Sequence, residues 1–187
     1  MITLSNTVDA IKTKRDIERM KKALHGRDRL LFVMGVSFGL RISDLLTLKI
    51  GDLRNQSHLT IVEKKTVNTR KKRKARRIKL SQTVIDEVAK LDGKDDDYLF
   101  QSRKGDNKPI SRVQAYRILN DAVKRAGLSI NVGTHTLRKS FGWQLYNNGI
   151  DITRIMEIFG HSTPAMTLKY IGITSQEIDD AYEAIEV

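Results

Sequence analysis

The feature that most constrains the fold is an apolar segment that ends shortly before residue 40. Residues 28–38 read Asp-Arg-Leu-Leu-Phe-Val-Met-Gly-Val-Ser-Phe, and on a helical projection their apolar side chains occur on nearly every side. A helix of this kind has no polar face for water, so it must lie in the middle of the molecule. Gly39 follows at the position where a left-handed residue commonly ends a helix. The pattern therefore predicts a buried central helix around which the rest of the chain packs.

Capping residues and glycine stops predict more helices on both sides of this segment. Asp16 is a candidate N-cap for a helix over 17–24, and Ser81 and Ser111 take the same place before later apolar patterns. Further helices are predicted over 43–48, from 134 to the Asn-Asn-Gly at 147–149, from 151 to Gly160, from 163 and from 174. Helical spacing assigns six residues to the buried face of the helix after Ser111, namely Val113, Tyr116, Leu119, Ala122, Val123 and Ala126.

Two short segments have strand character instead. Residues 58–62 and 76–80 alternate polar and branched apolar side chains, and a polar, basic stretch separates them. We interpret the whole as a β-hairpin with a long mobile arm, and residues 98–100 as a candidate third strand. The 187 residues contain no internal repeat and no low-complexity linker, which favours one domain. The predicted fold class is α+β, mostly α-helical, with a small antiparallel sheet.

The charge of the chain points to a polyanionic partner. Lysine and arginine number 34 against 22 aspartates and glutamates, which gives a formal net charge of +12. Much of the excess is concentrated in the arm and the strand that follows it, where residues 64–79 include no acidic residue. The cations there are Lys64, Lys65, Arg70, Lys71, Lys72, Arg73, Lys74, Arg76, Arg77 and Lys79. A solvated loop usually mixes charges of both signs, and a localisation signal is the other ordinary reading of such a run. We favour contact with nucleic acid, because phosphates neutralise the mutual repulsion of these cations.

Several classes of protein are disfavoured by what the composition lacks. There is no cysteine, so disulfides and thiolate zinc sites are excluded. No apolar run approaches the ~20 residues that a membrane span needs, and the first residues do not resemble a secretory signal. His25 and His58 have no partners at metal-ligand spacing. We therefore expect a cytoplasmic protein with no membrane partner, no bound metal and no cofactor.

A set of chemically versatile residues is distributed over the predicted helices. Each has an ordinary structural reading when taken alone, such as an Arg–Asp pair or a packed tyrosine. The set consists of Arg41 with Asp44, His135 with Arg138, His161, and Tyr170. Together these residue types suit phosphoryl transfer to a protein hydroxyl: arginines match phosphate oxygens, histidines move protons near neutral pH, and tyrosine is a covalent nucleophile. A lysine on the arm can supply a proton to the leaving oxygen, and the arginines provide the charge that a metal would otherwise supply.

The order of these residues resembles that of the tyrosine recombinase, or phage integrase, family. Three blocks carry the resemblance, with the basic hairpin between the first two. They are Gly39-Leu40-Arg41-Ile42-Ser43-Asp44-Leu45-Leu46-Thr47-Leu48 followed by Asp52, then His135-Thr136-Leu137-Arg138-Lys139-Ser140-Phe141, and then Phe159-Gly160-His161-Ser162-Thr163 with Thr167 and Tyr170. The similarity extends over roughly residues 16 to 175, which is nearly the whole chain.

The resemblance implies a fold and a role for each site residue. The fold would be the tyrosine recombinase catalytic domain. Tyr170 would form a 3′-phosphotyrosine bond with DNA, Arg41 and Arg138 would clamp the phosphate, and Asp44 would orient the arginine side of the site. His135 would assist proton transfer at the nucleophile and His161 would hydrogen-bond the phosphate. Lys65 best matches the lysine that protonates the leaving oxygen, with Lys64, Lys71 and Lys72 as rivals. Residues implied to bind DNA are Lys64, Arg70, Lys71, Lys72, Arg73, Lys74, Arg76 and Arg77.

The resemblance also implies domains and partners. Residues 1–172 would form the catalytic domain, and 173–187 an amphipathic helix that packs on its own core or on a neighbouring protomer. Arg41 comes too early for the N-terminal DNA-binding domain usual in the family. The partners would be double-stranded DNA and other protomers, in a synaptic tetramer on DNA. The source would be a bacterium, a phage or a mobile element.

Two other functions remain open at this point. A recombinase-fold regulator that binds DNA without cutting it has the same charge and fold. A type IB topoisomerase shares the chemistry, although the short chain and the integrase-like blocks favour it less. Formation of a covalent adduct with DNA distinguishes the enzyme from the regulator, and relaxation of supercoiled plasmid by monomers identifies a topoisomerase. The main reading is metal- and ATP-independent site-specific DNA recombination.

Overall fold

A computed structural model describes residues 8–62, 75–173 and 183 of the chain. The helices are α1 (Lys14–Lys22), α2 (Gly26–Phe38), α3 (Ile42–Leu45), α4 (Gln82–Ala89), α5 (Arg112–Ala126), α6 (Thr134–Asn147), α7 (Ile152–Phe159) and α8 (Pro164–Ile171), with a 3₁₀ turn at Ile50–Asp52. The strands are β1 (His58–Ile61) and β2 (Arg76–Lys79). The predicted class, mostly helical with a small antiparallel sheet, is confirmed. The predicted arm at 63–74 and the helix predicted from 174 lie outside the described residues, apart from residue 183.

The central helix is α2, as its sequence predicts. Leu31, Phe32 and Met34 are completely enclosed, and α2 packs against α6 on one side and α4 on another. Gly39 ends α2 in the left-handed conformation, with φ of 59°. The close approach of α6 depends on two glycines, because a Cβ on Gly35 would meet Leu137 and one on Gly39 would meet Phe141. This approach brings the first half of α6 to the C-terminal end of α2.

A second, smaller apolar cluster lies beside the main core. Ile155, Phe159 and Ile171 are buried there, where α7 and α8 pack together and α8 contacts α6. Gly142 permits this contact, since a Cβ at that position would meet Phe159 and Ile171. The cluster fixes the position of α8 relative to α6, the two helices that contain Tyr170 and the His135–Arg138 pair.

The sheet is a two-stranded antiparallel ladder in which His58 lies opposite Lys79 and Ile61 opposite Arg76. The third strand expected at 98–100 is an isolated bridge between Lys49 and Tyr98, extended by a hydrogen bond from the amide of Leu99 to the carbonyl of Leu48. Among the described residues, no helix combines the length and the apolarity that a membrane crossing requires.

Two helix predictions are wrong in detail. Thr13, three residues before Asp16, caps α1 by accepting a hydrogen bond from the Asp16 amide, so α1 begins earlier than expected. Val113 and Tyr116 are exposed, at 59% and 49%, whereas Ala115 and Ile118 are buried. The prediction fails only in the first turns of α5: Leu119, Ala122 and Val123 are buried as predicted, and Ala115 is buried because it lies on the same side of the helix as Ala122.

Candidate active site

Helix α6 places His135 and Arg138 on one face, because residues three apart on a helix are neighbours. Arg138 is only 4% exposed. Its Nη1 donates to the carbonyl of Gly39 and its Nη2 donates to the carbonyl of Phe159 at 3.0 Å. The guanidinium carbon also lies 4.6 Å from the centroid of the Phe159 ring. Arg138 therefore connects the end of α2 with the end of α7, and these contacts fix its position before any substrate arrives.

Arg41 enters the same region from the turn after α2. It is the N-cap residue of α3 and is half-buried. Its carbonyl accepts hydrogen bonds from the amides of Asp44 and Leu45, and Asp44 is 1% exposed. The charges of Arg41 and Arg138 both act on His135, His161 and Tyr170. The two arginines thus face a common region rather than opposite sides of the molecule.

Tyr170 lies between the two histidines. Its hydroxyl is 3.4 Å from Nδ1 of His135. Its ring centroid lies 5.1 Å from that of His161 and 5.4 Å from that of Phe159, and both pairs are edge-on. Edge-on packing of this kind orients a ring without covering its polar end. Tyr170 is half-buried, and His135 is partly desolvated by its neighbours but keeps enough exposed surface for this side of the site to be accessible from solvent.

The site favours the neutral forms of its titratable groups. Partial burial lowers the pKa of His135 below its ordinary value of 6.5, and Arg112, Arg138, Lys139 and Arg41 lower it further. Burial, followed by the charges of Arg138 and Arg41, lowers the pKa of His161 as well. Burial raises the pKa of the Tyr170 phenol above 10.0, while the two arginines oppose that change. Near neutral pH both imidazoles are therefore uncharged bases, and the phenol retains its proton until a base accepts it.

Thr167 fixes the ring of His161. It is completely buried, and its Oγ1 lies 3.0 Å from Nδ1 of His161 and 3.3 Å from the carbonyl oxygen of Thr163. Both contacts are satisfied when the hydroxyl donates to the carbonyl and accepts from Nδ1–H. In the neutral ring this leaves Nε2 without a proton, so His161 must gain a proton before Nε2 can donate to a phosphate oxygen. The sequence blocks contain Thr167, but its spacing alone does not reveal this hydrogen bond.

Two further residues at the site were not assigned a role by the sequence. Phe159 packs against Arg138, His161 and Tyr170, and its distance along the chain from Arg138 hides this contact. The Nζ of Lys139 lies 5.7 Å from the centroid of the Tyr170 ring and donates to the carbonyl of Val8. Burial lowers the pKa of Lys139, and Asp9 opposes that change. Lys139 belongs to the second of the three sequence blocks, but nothing in the sequence indicates its contact with Tyr170.

The predicted DNA-binding residues are placed only in part. Seven of them lie outside the described residues: Lys64, Lys65, Arg70, Lys71, Lys72, Arg73 and Lys74. Their contacts with DNA, and which lysine protonates the leaving oxygen, therefore stay predictions. Arg76 and Arg77 are described, and their environments differ. Arg76 is half-buried and donates from Nη2 to the carbonyl of Phe38 at 2.6 Å. Arg77 is exposed, and its Nη2 lies 3.2 Å from Nδ1 of His58.

Over residues 8–62, 75–173 and 183, no cluster of three or more histidines and carboxylates is arranged to hold a metal ion.

Comparison with known proteins places this geometry in a family. Residues 10–177 match the model of the phage integrase family. A probable integrase/recombinase of Bacillus subtilis, YoeC, is 41% identical over 179 residues, which are 94% of this chain and 96% of that protein. The tyrosine recombinase XerA of Pyrococcus furiosus is 33% identical over 185 residues, and this chain spans 62% of its length.

Solved structures agree with these sequence matches. A crystal structure of XerA recombinase superposes with a TM-score of 0.74 at 22% identity, over 98% of this chain and 66% of that one. XerH site-specific recombinase, bound to palindromic difH substrate in a post-cleavage complex, gives 0.67 at 26% identity, over 90% of this chain and 49% of that one. The fold, the matched span and the sequence identity lead to one conclusion: the chain belongs to the phage integrase family of tyrosine recombinases.

Proposed function

We propose that this chain cleaves and rejoins DNA at specific sites, as an integrase or recombinase that forms a 3′-phosphotyrosine intermediate. The observation that carries the proposal is the position of the Tyr170 hydroxyl, 3.4 Å from Nδ1 of His135, where the charges of Arg41 and Arg138 act on the phenol. A tyrosine that merely packs in a core needs neither a base nor two arginines around its hydroxyl. Membership in the family and the basic arm both favour a phosphodiester bond of DNA as the group that Tyr170 attacks.

The proposed step conserves the phosphodiester energy. The phenol oxygen of Tyr170 attacks phosphorus and its proton passes to the unprotonated Nδ1 of His135. The bond from phosphorus to the 5′ oxygen breaks, and that oxygen takes a proton from an arm lysine, which we assign to Lys65. A new phosphotyrosine ester replaces the old ester, so neither ATP nor water is consumed. Attack by a 5′-hydroxyl reverses the step and joins the strands.

Each remaining site residue has a proposed role in this step. Arg41 and Arg138 neutralise the extra negative charge that develops on the non-bridging oxygens, where preorganised donors stabilise the transition state most. His161, once protonated, donates to a phosphate oxygen. Asp44, which is buried and donates from its amide to the carbonyl of Arg41, helps to orient the Arg41 turn. His135 and Arg138 lie on α6 and Tyr170 on α8, whereas Arg41 lies in the turn before α3 and His161 in the loop between α7 and α8.

The partners we propose are double-stranded DNA and further protomers of this chain on that DNA. The basic arm supplies the charge that tracks a phosphate backbone. A palindromic substrate, such as the one that XerH binds, presents two equivalent half-sites and so requires two copies of the protein. The assembly on DNA and a cytoplasmic location are parts of the same proposal, as are domain limits at 1–172 and 173–187.

Covalent capture tests the proposal without knowledge of the target site. The full chain is incubated with a duplex library that has a randomised core and a nick close to it, so that a cleaved fragment diffuses away and traps the intermediate. We expect a protein–DNA adduct that survives denaturation, from which one family of sequences is enriched. Binding to the enriched duplex without any adduct would favour the DNA-binding regulator, and adducts without sequence enrichment would favour a topoisomerase.

A further inference from the structure

Two arginines from other elements meet the C-terminal end of α2. Arg138, on α6, donates to the carbonyl of Gly39. Arg76, on β2, donates to the carbonyl of Phe38 at 2.6 Å. These two carbonyls are consecutive along the chain, and Arg41 follows within three residues. The backbone just before Arg41 is thus bonded to arginines from two other elements.

The end of α2 needs such donors. The last carbonyls of a helix have no partner within the helix, and they carry the negative end of its dipole, where cations are favourable. The last turn of α2 contains no basic residue of its own. The donors therefore come from elsewhere, and β2 supplies one of them through a half-buried arginine.

Arg76 and Arg77 are neighbours in β2 with different surroundings. Successive side chains of a strand point to opposite faces. Arg76 is directed inward to α2, whereas Arg77 is exposed beside His58. A guanidinium that donates to a helix carbonyl in a half-buried position is poorly placed to follow a DNA backbone at the same time. The two arginines, equal in charge and adjacent in sequence, are therefore suited to different tasks.

We propose that Arg76 is a positioning residue that holds the turn of Arg41 in place for catalysis, rather than a contact for DNA phosphate. The inference rests on the proposed function, because it assumes that Arg41 contacts the scissile phosphate. Removal of the Arg76 guanidinium frees the Phe38 carbonyl and loosens the path from α2 to α3. Arg41 then meets the phosphate less often in the productive geometry, and cleavage slows more than binding weakens.

Single-turnover cleavage of the enriched duplex separates the two roles, with Arg77→Ala as the matched control for loss of one charge. At saturating protein, Arg76→Ala should cleave about 10- to 100-fold more slowly than the unmodified chain, the cost of a misplaced catalytic group. Arg76→Lys, which keeps a donor, should be intermediate. Arg77→Ala should weaken binding and flatten its dependence on salt, and at saturating protein its cleavage should slow less than that of Arg76→Ala. Equal cleavage rates for Arg76→Ala and Arg77→Ala at saturation would overturn the proposal.

A double-mutant cycle asks whether Arg76 acts through Arg41. Residues that act through one another are strongly non-additive, whereas independent defects multiply. In an Arg41→Lys background, the additional Arg76→Ala substitution should slow cleavage about threefold or less. A full additional slowdown, as large as in the unmodified chain, would mean that Arg76 acts elsewhere and would contradict the inference.

Hydrogen exchange gives a readout that does not require cleavage. The amides of Asp44 and Leu45 donate to the carbonyl of Arg41, so their protection reports on the turn. They should exchange several-fold faster in Arg76→Ala than in Arg77→Ala, with α7 and α8 unchanged. Unaltered protection would refute the positioning role even if the chain proves to be a recombinase. If these amides exchange faster in Arg76→Ala but neither the unmodified chain nor any variant forms an adduct, the result would count against the proposed function alone.

Discussion

The phenol oxygen of Tyr170 and Nδ1 of His135 are 3.4 Å apart, although 35 residues separate them in the chain. The contact exists because the small cluster of Phe159, Ile155 and Ile171 fixes α8 against α6. Packing within the chain thus places the proposed nucleophile beside its proposed base.

The single-turnover cleavage rate should fall at acidic pH because His135 becomes protonated there; we call this fall the acidic limb. Burial and then Arg112 lower the pKa of this histidine below 6.5, so the neutral base persists to lower pH than in a free imidazole. The single-turnover rate should therefore remain high through neutral pH and fall only as the pH drops below 6.5. His135→Gln should be slow and should lack the limb, whereas His161→Gln should be slow but retain it. A limb centred above 6.5, or one that survives in His135→Gln, would assign the proton transfer to another group.

Loss of Arg138 should cost both activity and stability. Its guanidinium donates to two backbone carbonyls while only 4% of the residue is exposed. Each buried carbonyl left without a donor costs about 1–3 kcal/mol, so Arg138→Ala should unfold at lower denaturant concentration and cleave several orders of magnitude more slowly. Arg41→Ala is the control, since Arg41 is half-buried and its loss should slow cleavage with a smaller change in unfolding free energy. Chemical denaturation and adduct formation would be compared, and cleavage at the normal rate by Arg138→Ala would refute its role.

Thr167→Val should impair His161 without unfolding the site. Valine nearly matches threonine in shape but cannot accept from Nδ1–H of His161, so the ring loses the contact that orients it. We expect cleavage to slow about 10-fold, the lower end of what supporting partners of a site residue contribute. Thr167→Ser keeps the hydroxyl and should stay near the normal rate. If Thr167→Val and Thr167→Ser cleave equally well, the hydrogen bond has no part in catalysis.

Much of this architecture could be predicted from local sequence patterns. The apolar run before Gly39 and the caps at Ser81 and Ser111 each predict a helix that the structure contains. These signals act within a few residues of the backbone they control. The fold class follows from them, because one helix that is apolar all round must be enclosed by the others.

Other details of the fold were not predicted. On an α-helix Val113 lies opposite buried Ala122 whereas Ala115 lies on the same side as Ala122, so strict helical spacing already favours Ala115 over Val113. Asp16 has the chemistry of a cap, yet Thr13 takes that place and Asp16 becomes its hydrogen-bond partner. The different surroundings of Arg76 and Arg77 were likewise hidden, since both belong to one uniform run of cations.

Cleavage should continue in the presence of EDTA. In the proposed step, the positive charge that stabilises the transition state comes from Arg41 and Arg138 rather than from a metal ion. We expect equal rates of adduct formation with EDTA and with added magnesium. An activity that EDTA abolishes and magnesium restores would show that the arginines are insufficient and that the proposed step is incomplete.

The identity of the covalently modified residue tests the central claim most directly. An adduct captured from the nicked library would be digested with nuclease and protease, and the peptide that retains a nucleotide would be sequenced by mass spectrometry. We predict a nucleotide 3′-phosphate on Tyr170, and no adduct from Tyr170→Phe although that variant binds the same duplex with similar affinity. A nucleotide found on any other residue, or an undiminished adduct from Tyr170→Phe, would contradict the account.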